Sequence, residues 1–250
     1  MNSPHRTTRL SDLKDRHAGE RCVLIANGPS LNNMDLGFLK RETCIGMNKI
    51  FLGFKRFRFY PRYYVAVNRK VIEQATAQIK ALNCVKFISQ AGAHGLLAEN
   101  ALTHLIRTHA YQIDHQGIKG PGFCRDIAAE GVHEGWTVTH AALQIAYYLG
   151  FSEVVLIGLD HRYQYSGAPN EARVLDGPDP NHFSPAYFGG GQTWDNPDLA
   201  HSEESYRLAR AEYERVGRRI LDATLDGACA VFEKADYRQL FRIAASGAVA

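Results

Sequence analysis

Four polar residues follow four short apolar runs in this 250-residue sequence, and their types define the chemistry on offer. Asn27, Asn48 and Asn68 carry neutral amides, each able to donate and accept hydrogen bonds to a base, ribose or phosphate. The fourth run ends at Gly158-Leu159-Asp160-His161, which puts a carboxylate and an imidazole at the same edge as an acid/base pair or a metal site. The first run delivers Asn27-Gly28-Pro29-Ser30. Gly28 lets the backbone turn sharply and approach a ligand, Pro29 stiffens the turn, and Ser30 offers its hydroxyl and N–H to a phosphate. The same four residues also make a plain Asx turn with Ser30 as N-cap. They form neither a Walker A sequence nor a GxGxxG fingerprint.

A second group of candidates follows Asp160. Asp176, Asp179, Asn181, His182 and Asp195 lie in a Gly- and Pro-rich stretch, so His182 joins Asp160 and His161 as a candidate catalytic group. A Mg²⁺ site built of such carboxylates is compatible with this stretch, although no dedicated ligand spacing is present, and no tightly bound cofactor is expected. Upstream, Thr137 or Thr139 can cap a helix and present hydroxyl and N–H groups to a ligand, and Gly158 turns the chain beside it. The basic aromatic run from Lys55 to Arg62 is either a site for phosphates or an acidic acceptor, or a solvated loop. No Gly-x-Ser-x-Gly elbow, no His-Glu-x-x-His and no Cys paired with a base occurs, which disfavours covalent hydrolase chemistry. Donors for a nucleotide, one or two imidazoles and an aromatic cover suit group transfer from an activated nucleotide, with water excluded by the cover.

Positioning such residues requires parallel strands whose carboxyl ends share one edge, because ligands of open α/β sheets bind beyond those ends. Apolar runs at 21–26, 43–47, 62–67, 85–89 and 154–159 read as buried strands, and the stretches 35–41, 70–82, 138–149 and 202–219 read as helices. Their alternation predicts an α/β fold with a mainly parallel sheet and helices on both faces. One domain is expected over residues 1–250, with its core at about 20–241 and a lid insertion at about 161–200. The lid's tyrosines, phenylalanines and Trp194 argue that it packs against the body. A further strand is expected at 228–232 and a frayed tail at 244–250. Five scattered cysteines suit reduced core residues. The polar first 15 residues and the absence of a long apolar run predict a cytoplasmic protein with no transmembrane segment. A net charge of +3 gives no global field for nucleic acid. Homo-oligomerisation stays open.

The succession of an apolar strand with Asn27-Gly28-Pro29-Ser30-Leu31, then Asn48, Asn68 and the 137–150 helix leading to Asp160, resembles two related groups. One comprises the bacterial CMP-sialic-acid-dependent sialyltransferases and the motility-associated glycosyltransferases. The other is the domain family named after 6-hydroxymethylpterin diphosphokinase, which the chain resembles more closely, including Asp179-Pro180-Asn181-His182-Phe183 and Tyr187-Phe188-Gly189. The first resemblance implies a Rossmann-like sheet binding CMP at Asn27, Gly28, Ser30, Asn48 and Asn68, and a lid histidine acting as base on the acceptor; His182 matches a histidine of that lid region, and 184–191 holds no second one. The second implies diphosphate transfer from ATP with Mg²⁺ on acidic residues such as Asp160 and Asp179. The expected function is a glycosyltransferase using a nucleotide-activated sugar, a CMP-linked acidic sugar, in surface-polysaccharide or flagellar glycan synthesis. Its partners are that donor and a small-molecule or glycan acceptor. The alternatives are the pterin diphosphokinase and a catalytically inactive nucleotide-binding module.

Overall fold

A computed structural model describes residues 9–113, 116–117 and 119–243. Eight strands form one parallel sheet: β1 (Arg21–Ile25), β2 (Cys44–Met47), β3 (Tyr63–Ala66), β4 (Val85–Ser89), β5 (Thr103–Ile106), β6 (Glu153–Ile157), β7 (Arg219–Asp222) and β8 (Glu233–Lys234). Their spatial order is β8-β7-β6-β1-β2-β3-β4-β5, the Rossmann-like arrangement anticipated above. The chain steps outward from β1 to β5, then crosses back to lay β6 beside β1 in register from Arg21 opposite Glu153 to Ile25 opposite Ile157. The β1–β6 gap is therefore the topological switch point, where strand order leaves a crevice.

The continuous apolar runs exist because both faces of the sheet are covered. Alternate residues of β1 divide between two cores: Cys22 and Leu24 on one face, Val23 and Ile25 on the other. The first face packs against the only two helices longer than two turns among the described residues, α3 (Val138–Tyr148) and α4 (Leu199–Glu214), through Ala142, Ile145, Tyr206 and Tyr213. The second face is covered by short helices, including α1 (Arg69–Gln74) and α2 (Thr76–Ala81), and by the lid aromatics Phe183, Tyr187, Phe188 and Trp194. These lid rings are core residues, and burying each contributes roughly 2 kcal/mol.

Several boundaries differ from the sequence expectations. The 70–82 helix is two helices, broken at Ala75, and 35–41 forms a 3₁₀ turn at Gly37–Arg41. The 202–219 helix begins earlier, at Leu199, where Asp198 caps it, and ends at Glu214. Gly217 takes φ +72° there, and the N–H of Arg218 bonds to the Tyr213 carbonyl, a helix stop that frees Arg219–Asp222 to become β7. The strand expected at 228–232 is irregular, and the chain pairs at Glu233–Lys234 instead. The lid contains an antiparallel hairpin, Ala172–Leu175 with Gln192–Asp195. All five cysteines are buried and unpaired. No helix among the described residues is long and apolar enough to cross a membrane. The expected frayed tail at 244–250 lies outside the described residues.

Candidate functional site

The crevice at the switch point continues into a larger chamber. Its inner part, about 80 Å³, is lined by the ends of β1, β2 and β6 (Asn27, Gly28, Asn48, Gly158, Asp160), by Thr137 and Thr139 ahead of and within α3, and by His182. An outer part of about 590 Å³ shares the walls Asn48, Thr137, Val138, Tyr163 and His182 and adds Asn68, Trp136, Trp194 and Asn196. Residues scattered from 27 to 198 thus meet at one edge of the sheet.

The asparagines differ in what they leave unused. Asn27 donates from Nδ2 to the Met47 carbonyl at 3.3 Å, which fixes the orientation of its amide, and its buried Oδ1 has no partner. Asn48 has a φ of +49°, a left-handed conformation that Asn tolerates better than most residues, and its buried Oδ1 is likewise unpartnered. A buried amide oxygen without a donor costs about 1–3 kcal/mol, so these two atoms call for hydroxyl or amino groups from a ligand. Asn68 is the N-cap of α1, accepting from the Val71 N–H at 3.2 Å, and faces the outer chamber only.

The Gly28–Ser30 turn is closed by its neighbour strand. Asp160 accepts from the Ser30 N–H at 2.9 Å and from the Ser30 hydroxyl at 2.6 Å. A Cβ on Gly28 would lie 1.8 Å from Asp160 Oδ2 and 2.6 Å from the Gly158 carbonyl oxygen, so no other residue fits. The donors expected to meet a phosphate are engaged by a carboxylate of this chain, and neither Pro29 nor Ser30 lines the crevice. Burial holds the Asp160 carboxyl above its ordinary pKa despite both Ser30 hydrogen bonds. His161, expected beside it in the catalytic group, turns away: with φ +53° its Nε2 lies 3.2 Å from Glu203 on α4, and it borders neither part of the cleft.

The lid supplies a different acid/base arrangement. His182 Nδ1 lies 2.8 Å from Asp179 Oδ2, and the ring stacks on Tyr187 at 3.9 Å with an interplanar angle of 1°. The remaining oxygen chemistry of Asp179 is filled by the N–H groups of Asn181 (2.8 Å) and Phe188 (3.1 Å). Burial pushes the Asp179 carboxyl up, but the His182 bond and charge and these two N–H groups outweigh it, and the net direction is down. An ionised Asp179 fixes the proton on Nδ1 and leaves Nε2 as the basic nitrogen of a histidine that lines both parts of the cleft.

Sequence reasoning missed what holds this lid. Lys49, directly after Asn48, donates from Nζ to the Tyr187 carbonyl (2.6 Å), Gln192 (2.6 Å) and Gln74 (2.7 Å), and lies 4.3 Å over the Phe188 ring. Burial lowers its pKa to about 8, against an opposing pull from Asp179. The Phe183 N–H bonds to the Asn27 carbonyl at 2.9 Å, tying the lid to β1 itself. A lone lysine after a strand-end asparagine was the one available signal. At the opposite wall, Thr137 caps α3 by accepting from the Thr139 N–H at 3.3 Å, and residues 137–139 bring the positive end of that helix to the cleft.

The pterin-enzyme resemblance assigns Mg²⁺ to Asp160 and Asp179. Asp160 and Asp179 each hold donors of the protein framework. No group of three His, Cys, Asp or Glu side chains among the described residues is placed to hold a metal ion.

A family model described as 6-hydroxymethylpterin diphosphokinase MptE-like matches residues 1–166. No curated protein sequence matches the chain. Among solved structures, the MAf glycosyltransferase from Magnetospirillum magneticum AMB-1 is similar in fold, with a TM-score of 0.54 and 13% identity over 89% of this chain. The chain spans 35% of the length of that protein.

Proposed function

The chain belongs to the 6-hydroxymethylpterin diphosphokinase MptE-like family, and from that premise we propose that it is a nucleotide-dependent transferase, specifically a glycosyltransferase using a nucleotide-activated sugar. The observation that carries the reading is the unpartnered Asn27 Oδ1, buried at the switch point in a cleft that also holds the Asp179–His182 pair. An acceptor atom reads a ligand's donors, so Asn27 and Asn48 meet ribose hydroxyls or a base amino group rather than phosphate oxygens. The phosphate belongs at the amino end of α3, where the helix dipole favours negative charge.

In this reading the acceptor hydroxyl gives its proton to His182 Nε2 as its oxygen bonds to the anomeric carbon. The bond from that carbon to the phosphate oxygen breaks, and the nucleotide leaves with the electron pair, its added charge met by α3. Asp179 stabilises the imidazolium, and the packed lid excludes water that would otherwise hydrolyse the donor. The finer assignment, a CMP-linked acidic sugar for surface polysaccharide or flagellar glycan, rests on the strand-end asparagines and His182 matching the sialyltransferase pattern. The family description favours a second reading, diphosphate transfer from ATP to a hydroxymethylpterin, in which the same histidine would deprotonate the hydroxymethyl group.

The test is nucleotide release from a panel of CMP-, UDP- and GDP-sugars, run beside a pterin diphosphorylation assay with Mg-ATP. We expect turnover of a CMP-sugar that falls at least 10²-fold in His182→Ala while nucleotide affinity changes only a fewfold. Pterin diphosphorylation without sugar transfer would establish the second reading, and binding without turnover of any donor would make the protein a binding module.

A further inference from the structure

The outer chamber contains features that the nucleotide and the His182 base leave unused. Asn196 is 1% exposed and lines it. Its Nδ2 donates to the carbonyls of Ser166 (2.8 Å) and Ala168 (2.9 Å), which fixes the amide's orientation, and its buried Oδ1 has no partner. This is a third unsatisfied acceptor among the residues that line the cleft, on the lid rather than at the strand ends that hold Asn27 and Asn48. Trp136 lines the same chamber, at φ +58°, an uncommon conformation for a bulky side chain. The preceding Gly135, also at φ +58°, packs so closely on α3 and α4 that a Cβ would meet the His140 ring at 2.4 Å. The indole is braced from behind by His201, stacked at 4.6 Å and itself held 2.8 Å from Asp198. Trp136 lines the chamber, and His201 does not.

We infer that this outer chamber is the acceptor subsite, taking an uncharged sugar ring that packs on the Trp136 indole and donates a hydroxyl to Asn196 Oδ1. An aliphatic C–H face against an indole, with hydroxyls directed to fixed polar atoms, is the general solution for holding a sugar. The charges in the wall select against an anionic acceptor. Glu134, Asp195 and Asp198 line it, and Lys70, the one lysine among its described residues, is already paired with Asp195. The chamber reaches His182, so a ring held at Trp136 presents its hydroxyls toward the base that the transfer uses. This inference rests on the glycosyltransferase reading for the word acceptor, but the sugar site is measurable without turnover.

Both tryptophans of the protein, Trp136 and Trp194, line the chamber, so intrinsic fluorescence reports on its occupancy. Methyl β-galactoside, methyl β-glucoside and N-acetylglucosamine are titrated with CMP present, followed by galactose 6-phosphate and 6-hydroxymethylpterin. We expect at least one neutral sugar to bind, with affinity falling tenfold or more in Trp136→Gly and severalfold in Asn196→Ala, while calorimetric CMP affinity stays within twofold. Glycine suits the left-handed backbone at position 136, and a thermal melt of each variant verifies the fold. Failure of all neutral sugars while CMP binds overturns the subsite and leaves the nucleotide reading standing. Sugar binding without CMP binding overturns the nucleotide reading instead. Preference for the sugar phosphate, or for the pterin, contradicts the proposed ligand class.

Discussion

Two turns at the carboxyl edge of the sheet offer similar groups in sequence, Gly28-Pro29-Ser30 after β1 and Trp136-Thr137-Val138-Thr139 before α3, yet they end in opposite states. In the first, a carboxylate delivered by β6 from 130 residues away fills the turn and engages both donors of Ser30. In the second, the Thr137 hydroxyl caps the helix and meets the Tyr206 hydroxyl at 3.3 Å, the Thr139 hydroxyl donates to Met47 Sδ at 3.7 Å, and no carboxylate among the described residues fills the turn, so the helix end borders the cleft. Residue types at a strand end specify which groups are offered. Whether they stay free depends on the neighbour that topology places beside them, and at a switch point that neighbour is remote in sequence.

The contrast is most sharply tested at Gly28. Gly28→Ala drives a Cβ against the Asp160 carboxylate and the Gly158 carbonyl oxygen, and the latter is backbone that cannot step aside. We expect a loss of about 2–4 kcal/mol in chemical denaturation, or failure to accumulate folded protein. Asp160→Asn keeps the shape but removes the charge-assisted bonds to Ser30, for a loss of about 1–3 kcal/mol. If Asp160 instead acted in catalysis, that variant would keep its melting temperature and lose turnover.

A third prediction concerns the Lys49 clamp that holds the lid. The Lys49 pKa is lowered from 10.5 to about 8, so between these values the unfolded chain binds a proton that the folded protein has released. Stability attributable to Lys49 therefore rises with pH from about 8 to 10.5, by up to about 3 kcal/mol. Unfolding of the wild type and Lys49→Met across that range should show this slope in the wild type alone, and parallel curves would refute it. The smallest effect is at the open turn: Thr137→Val should cost about 1 kcal/mol in stability and weaken nucleotide binding a fewfold.

The same logic explains what was legible in advance. The runs ending at Asn27, Asn48, Asn68 and Asp160 are continuous and apolar because both sheet faces are buried, so the parallel α/β core could be recognised from pattern alone. The edge strand Thr103–Ile106 and the lid hairpin could not, because those segments are short and half-polar. Arg219–Asp222 was hidden behind a helix-like charged run, and only the stop at Gly217 separates them. His182 was visible as a candidate, whereas its partnership with Asp179 and its stacking on Tyr187 depend on how the lid folds. His161 looked equivalent to it and is turned toward Glu203 by a backbone conformation that residue type does not announce. Unsatisfied atoms such as Asn27 Oδ1 and Asn196 Oδ1 have no signature in a sequence at all.

The central claim is that the crevice beside Asn27 reads a nucleoside. Isothermal titration calorimetry of CMP, CDP, ADP and ATP, with and without Mg²⁺, against the wild type and a folded Asn27→Ala variant tests it most directly. The account predicts metal-independent binding of CMP that weakens about tenfold when the Asn27 amide is removed, the equivalent of about 1.4 kcal/mol. Tight Mg-ATP binding with no cytidine nucleotide bound, or CMP affinity indifferent to Asn27, would contradict it.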